Sequence, residues 1–209
     1  SSNLGVRTFG GDPYWVGKMG AEFITGLRHG SSGRLAVIAK NFPGRGSTDR
    51  LPDVEVSTVI KSLEQLKLIE LAPFFRITEV GTAIPASITD GLITSHIRYQ
   101  GFQGNIRATT KPISFDQNAI DLLMGLSPLK EWRTDGGILI SDDLGSQAVS
   151  KFFNPNGQFI DARQIAKNAF LAGNDILYMD ALLSTGDANR FQTYRGTIDF
   201  FQQKYKEDT

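Results

Sequence analysis

The sequence predicts an α/β fold in which parallel strands are covered by helices, and three features predict it. The strand-like stretches, such as "RLAVIAK" (34–40) and "GILIS" (137–141), are short and continuously apolar rather than alternating. Strands buried on both faces read that way, and they belong to parallel sheets sandwiched by helices. Residues with helical spacing follow these runs, the order that builds βα units. Polar residues also collect where the apolar runs stop, at Lys40–Asn41, His96–Arg98, Asp142–Asp143 and Asp180. In such sheets functional groups gather at strand ends, whether the arrangement is doubly wound or a (β/α)8 barrel, and both fit this pattern.

Residues 13–30, "PYWVGKMGAEFITGLRHG", predict a helix: Pro13 suits a first turn, the apolar residues recur at helical spacing, and Gly30 provides a stop. The strand 34–40 leads into a Gly-rich loop, "NFPGRGSTDR". From Glu55 to Glu79 the spacing is helical again, with a break expected at Pro73. "LITSHIRY" (92–99) predicts a strand, and the polar loop "QGFQGNIRATTKP" follows it. "SFDQNAIDLLMGL" (114–126) predicts an amphipathic helix capped by Ser114. The strand 137–141, a helix over 162–173, a strand over 175–179 and a final helix within 187–206 complete the pattern.

A chain of 209 residues can bury one sizeable core, and residues 1–209 are expected to form a single domain. With 22 basic and 22 acidic residues the formal charge is zero, so no field or basic run favours nucleic acid. The chain has no cysteine, which removes disulfides, thiolate nucleophiles and zinc–thiolate sites. No metal-ligand spacing, Rossmann fingerprint or P-loop is present, and no cofactor is expected. No run approaches the ~18 apolar residues of a membrane span.

Several segments, in order, resemble glycoside hydrolase family 3. "AKNFPGRGSTD" is similar to the family's Lys-His-Phe-Pro-Gly-His-Gly loop, and "SLEQLKLIELAPF" to the helix after it. "LITSHIRY" resembles its Thr-Ala-His-Ile strand, "ATTKPIS" its Ala-Thr-Leu-Ser segment and "GVRTFGGDP" its Arg-Ser-Phe-Gly-Glu-Asp-Pro segment. "GGILISDDLGSQAV" is similar to the Gly-Val-Ile-Ser-Asp-Asp-Leu strand that carries the nucleophile, and "AFLAGNDILYM" to the Ala-Gly-Ala-Asp-Met-Leu strand. The resemblance implies a (β/α)8 TIM-type barrel, present here as its C-terminal part. The opening "SSNLGVRTFGGDP" lacks Met and resembles a segment that follows the family's third strand. The expectation is therefore an incomplete barrel whose remainder comes from sequence upstream. The compartment stays open.

The same resemblance implies hydrolysis of terminal β-linked sugars by retaining double displacement, with N-acetyl-β-D-hexosamine favoured by the "FPGRG" and "SDDL" segments. β-Glucosidase activity is the alternative within the family. Asp142 takes the nucleophile's position. Neighbouring residues of a strand point to opposite faces, so Asp142 and Asp143 cannot both enter one site while the strand persists; Asp143 is expected to cap the turn or meet a cation. Lys40 and Asn41 match the family's Lys-His pair that bonds sugar hydroxyls, and Arg7 the arginine that contacts the sugar. His96, on a strand, is carried as a substrate-site residue, although a hydrogen-bonded structural role suits that position as well. Arg45 stands where the family often has His, able to replace its hydrogen bonds or pair with Asp49.

The acid/base position departs from the family. Where the N-acetylglucosaminidase branch has Asp-Ser-His, an ungapped count gives Leu51-Pro52-Asp53, and the two histidines, His29 and His96, lie elsewhere. Asp53 and Asp49 are the candidates for acid/base, with Glu55 a further loop acid suited to a helix first turn. That departure keeps open a reading of another class, a carbohydrate-binding relative that kept Asp142 and Lys40 without a proton donor. Tyr99, Phe102, Trp15 and Trp132 offer either sugar-stacking faces or core packing, and "GFQGNIR" a rim for the sugar site.

Overall fold

A computed structural model of the chain describes residues 8–81 and 84–207. Helix α1 (Pro13–Gly30) is capped by Asp12, whose carboxylate accepts the Tyr14 and Trp15 N–H groups at 3.0 and 3.2 Å. Strand β1 (Ile38–Phe42) follows, then β2 (Ser57–Val59), α2 (Leu63–Leu68) and α3 (Ala72–Thr78). Strands β3 (Gly91–Thr94) and β4 (Ile97–Tyr99) lead into a short helix α4 (Gln100–Gln103), then α5 (Gln117–Met124) and α6 (Leu129–Thr134). Strand β5 (Ile138–Ser141) precedes α7 (Gln147–Phe153), α8 (Ala162–Leu171) and α9 (Arg190–Lys206).

The main sheet is parallel, in the order β1-β3-β5, and Ile176 continues it through a parallel bridge to Ile140. Strand order thus follows chain order without the reversal that makes the switch point of a doubly wound sheet. A second parallel pair, β2 with β4, matches Ser57–Val59 to Ile97–Tyr99. Helices pack on one another, α1 on α3 and α8 on α9. The larger core gathers Phe42, Phe74, Leu92, Tyr99, Trp132 and Leu139; a smaller one lies around Phe115, Leu144, Val149 and Ile165.

Carboxylates brace the N-terminal end of the sheet. Asp90 accepts the Val37 N–H at 2.6 Å and the Arg28 guanidinium at 2.8 Å, joining the starts of β1 and β3. Asp175 does the same for β5, taking the Leu139 N–H at 2.7 Å and both terminal nitrogens of Arg133. Gly137 precedes β5 because a Cβ there would lie 2.2 Å from the Trp132 ring.

Several expected elements differ in the structure. Glu55–Glu79 is not one helix: Ser57–Val59 is a strand, and the helical part starts only where Ser62 and Gln65 form a capping box. Pro73 sits in the first turn of α3, where its missing N–H costs nothing, so the break falls just before it. The strand expected over 92–99 splits at Ser95–His96, its halves pairing in different sheets. Asp116 rather than Ser114 caps α5, accepting the Ala119 N–H at 3.2 Å. Of residues 175–179, Ile176 makes the ladder contact, and α6 and α7 were not anticipated.

Candidate active site

The main sheet brings its strand ends level, pairing Phe42 with Thr94 and Thr94 with Ser141. Beyond the strands the stitching continues, since Ser95 N–H donates to Phe42 O at 2.9 Å and Asp142 N–H to Thr94 O at 3.0 Å. The backbone of Asp142 is therefore as fixed as that of the sheet. A cavity of about 220 Å³ opens at these ends, lined by Asn41, Arg45, Asp53, His96, Asp142 and Asp143 among others.

The two adjacent acids have different surroundings. The Asp143 carboxylate accepts the Gly145 N–H at 3.0 Å and the Ala181 N–H at 3.3 Å, while its carbonyl oxygen lies 3.0 Å from His96 Nε2. Among the described residues the Asp142 carboxylate accepts only the adjacent Asp143 N–H, at 3.0 Å, and both acids line the cavity. Gly145 permits this turn: a Cβ there would lie 2.0 Å from the Ala181–Leu182 backbone.

His96 is 4% exposed, stacks on Phe115, and has Ser114 Oγ at 2.7 Å from Nδ1. Burial pushes its pKa down, and the neighbouring charges of Asp142 and Asp143 offset this only in part. Both ring nitrogens are engaged, so a direct bond to sugar would have to displace Ser114 or the Asp143 carbonyl.

Asp53 lines the same cavity as Asp142, with its side chain 75% exposed and Arg45 at 3.1 Å. Arg45 pairs with Asp53 rather than Asp49. Asp49 accepts the Thr58 N–H at 2.7 Å and the Arg50 guanidinium at 2.9 Å, and it does not line the cavity. Burial raises the Asp49 carboxyl, but Thr58 and Arg50 outweigh it and hold the pKa below the ordinary carboxylate value. Glu55 pairs with Arg50 at 3.2 Å and with Lys151 at 3.8 Å.

Asn41 and Arg45 also line a second cavity of about 650 Å³, whose walls include Lys40, Phe74 and Glu70. The exposed Lys40 thus lies beside the Asp142 cavity rather than in its wall. Lys40–Asn41 and Phe42–Pro43 are cis peptides. Arg7 lies outside the described residues. Tyr99 and Trp132 are core residues, and Phe102 is 9% exposed in the same core. Trp15 is exposed on α1, and the 101–107 segment does not line the Asp142 cavity. Tyr99 donates its O–H to Gly44 O at 2.7 Å and accepts from Ser95 at 3.1 Å, which anchors the Gly-rich loop. Arg98 is tied to the Thr110 and Ala108 carbonyls, and Asp180 to Arg190 of α9. Those two strand-end groups act as braces. Sequence reasoning overlooked Ser146 in the cavity wall and the buried Asn174 behind it, although Asn174 is marked by standing where the family pattern has Ala. Among the described residues no group of three or more His, Asp or Glu is placed to hold a metal ion.

Fold and site together define an α/β protein of the kind whose chemistry sits at the C-terminal ends of parallel strands. Residues 1–193 match the family model described as "Glycosyl hydrolase family 3 N terminal domain", and the chain belongs to that family. A beta-hexosaminidase of Hydrogenovibrio crunogenus is 25% identical over 181 residues, covering 87% of this chain and 45% of that protein. One of Shewanella frigidimarina is 24% identical over 187 residues, covering 90% and 49%. The chain thus spans about half the length of these curated relatives. A solved family 3 beta-N-acetylglucosaminidase from Paenibacillus sp. str. FPU-7 superposes with TM-score 0.66 at 25% identity, covering 97% of this chain and 36% of that one.

Proposed function

We propose that this chain carries the nucleophile and part of the sugar site of a retaining β-glycosidase acting on terminal N-acetyl-β-D-hexosamine. The observation that supports this best is the division of labour at the end of β5. Both acids line the cavity, but Asp143 is committed to two backbone N–H groups, whereas among the described residues the Asp142 carboxylate accepts only the adjacent N–H. A carboxylate on a rigid strand end is the mount that covalent glycosyl transfer needs. In the first step Asp142 Oδ bonds to the anomeric carbon, the glycosidic C–O bond breaks, and the departing oxygen takes a proton from a general acid. In the second, water bonds to the same carbon, the ester bond to Asp142 breaks, and the water's proton goes to the same group, now a base.

For that second group we favour Asp53, which shares the cavity with Asp142, over Asp49, whose oxygens are already occupied. Lys40, Asn41 and Arg7 are assigned to sugar hydroxyls, and His96 to holding the site. The parallel strands are read as an arc of a (β/α)8 barrel whose remaining strands lie outside residues 1–209. The unreversed strand order and relatives about twice as long support that reading.

The test is labelling with a fluorinated glycosyl fluoride that accumulates the glycosyl-enzyme. The expected result is one glycosyl unit on the peptide containing Asp142, absent in Asp142→Asn; turnover with the label on another peptide would overturn the assignment. The exposure of Asp53 favours one alternative, a sugar binder without turnover. Aryl glycosides separate the two, because a good leaving group needs little acid assistance and an enzyme with a weak donor still shows a burst. Comparing aryl β-glucoside with aryl N-acetyl-β-glucosaminide separates the two sugar specificities.

A further inference from the structure

Behind the two acids runs a chain of buried polar side chains. His96 Nε2 lies 3.0 Å from the Asp143 carbonyl oxygen, which has no proton to give, so Nε2 carries one. In the neutral ring Nδ1 is then an acceptor, and the donor is the Ser114 hydroxyl at 2.7 Å. The Ser114 carbonyl accepts from Asn174 Nδ2 at 3.0 Å, and the same amide group donates to Ala169 O at 2.7 Å. Asn174 Oδ1 accepts the Thr94 hydroxyl at 2.7 Å. Asn174 and Ser114 are 2% and 0% exposed, yet the donors and acceptors of this chain are matched. A buried polar network that is fully satisfied specifies one arrangement of its elements, which apolar packing alone would not.

The network ends on Asp143. That residue is held through its carboxylate by Gly145 and Ala181 and through its carbonyl by His96, while its N–H is, among the described residues, the one hydrogen bond on the Asp142 carboxylate. We propose that His96, locked as its Nε2–H tautomer by Ser114 and Asn174, is a positioning residue that sets the orientation of the Asp142 carboxylate through the Asp143 backbone. The inference rests on the Asp142 reading for its catalytic meaning. Its geometric content stands apart from turnover. The charges nearest the ring are Asp142 and Asp143, from the end of β5, and Arg45 and Asp53 of the Gly-rich loop line the same cavity; the groups packed on it from the 113–115 turn, Ser114 and Phe115, are neutral.

Nitrogen-15 NMR of the unmodified protein is the first test. His96 should remain the neutral Nε2–H tautomer over about pH 5–8, where an ordinary histidine titrates; an Nδ1–H tautomer overturns the proposal. His96→Gln and His96→Asn then divide the ring's two contacts. Gln reaches toward the Nε2 position and can donate to the Asp143 carbonyl, whereas Asn reaches only the Nδ1 position and can meet Ser114. In His96→Asn the amide resonance of Asp143, whose N–H donates to the Asp142 carboxylate, should shift as that hydrogen bond is disturbed. In His96→Gln it should stay in place. For turnover of an aryl glycoside, kcat should fall about tenfold or more in His96→Asn with KM little changed, and recover in His96→Gln. Equal effects of the two variants on that resonance and on kcat would reduce His96 to a packing residue and overturn the proposal. Absence of turnover in residues 1–209 bears on the proposed function alone, and the tautomer and the Asp143 amide resonance still decide the positioning role. Should both variants fail to fold, the tautomer measurement decides it.

Discussion

Replacing Asp143 by alanine removes the acceptor of two backbone N–H groups, Gly145 at 3.0 Å and Ala181 at 3.3 Å. A hydrogen bond to a charged group contributes about 1.5–3 kcal/mol, and leaving a buried N–H unsatisfied costs a similar amount. Here the carboxylate is only partly buried and the Ala181 contact is long, so the pair is placed low in that range, at about 2 kcal/mol. For a chain of this length each kcal/mol moves the melting temperature by about 2–4 °C, which gives a drop of about 4–8 °C. Asp142→Asn gives up little, since among the described residues its carboxylate accepts only the adjacent N–H, which an amide oxygen can still accept. Its melting temperature should stay within ~2 °C of the unmodified protein, within the usual range for benign substitutions. Thermal unfolding and aryl glycoside turnover, measured on the same samples at pH 7, check both parts. Asp142→Asn should keep its stability and lose hydrolysis, whereas Asp143→Ala should lose stability. An Asp143→Ala that melts with the unmodified protein, or an Asp142→Asn that keeps its turnover, would refute the division drawn between the two acids.

Lys61→Met leaves Glu70, whose side chain is 3% exposed, without the ammonium at 2.6 Å; a cost of about 3 kcal/mol in urea unfolding is expected, largely recovered in Lys61→Met/Glu70→Gln. Gly145→Ala forces a Cβ onto the Ala181–Leu182 backbone and should lower both the melting temperature and turnover, while Gly46→Ala, with open space around it, should change stability little. Asp175 is raised by burial but lowered further by Arg133 and the Leu139 N–H, so its folded pKa lies below the ordinary value. Its stabilisation is therefore present above the unfolded pKa of about 3.9 and lost as pH falls through the folded value. Asp175→Asn should melt lower at pH 7 and show a shallower further loss below about pH 4, and a steeper acid limb would contradict the assignment. Asp53→Asn should slow glycosides with poor leaving groups more than activated aryl glycosides; equal slowing would remove Asp53 as the proton donor.

Much of the site could be read before the fold. The apolar run 137–141 ending at Asp142–Asp143 announced a buried strand with carboxylates at its tip, and β5 ends there. The loop after Lys40 was recognisable because its glycines and its proline mark turns locally. Short strands were harder. Ser57–Val59 has no periodicity of its own to distinguish it from the helix after it, and it is a strand because Ile97–Tyr99 lies alongside. Ser114 read as a helix cap because Ser caps are common, yet Asp116 stands closer to the helix start and frees Ser114 to reach His96. Arg45 finding Asp53 rather than Asp49 depended on how the loop closes.

The sequence by itself determined which segments are apolar, where the chain turns, and which polar residues end up at strand tips, because these follow from side-chain volume, polarity and backbone preference within a few residues. Only the tertiary structure decided which of two neighbouring acids at the cavity is tied down by backbone N–H groups. That choice is made by partners distant in sequence, the Ala181 N–H and the His96 ring, whose hydrogen bonds form only when the sheet has brought its strand ends together.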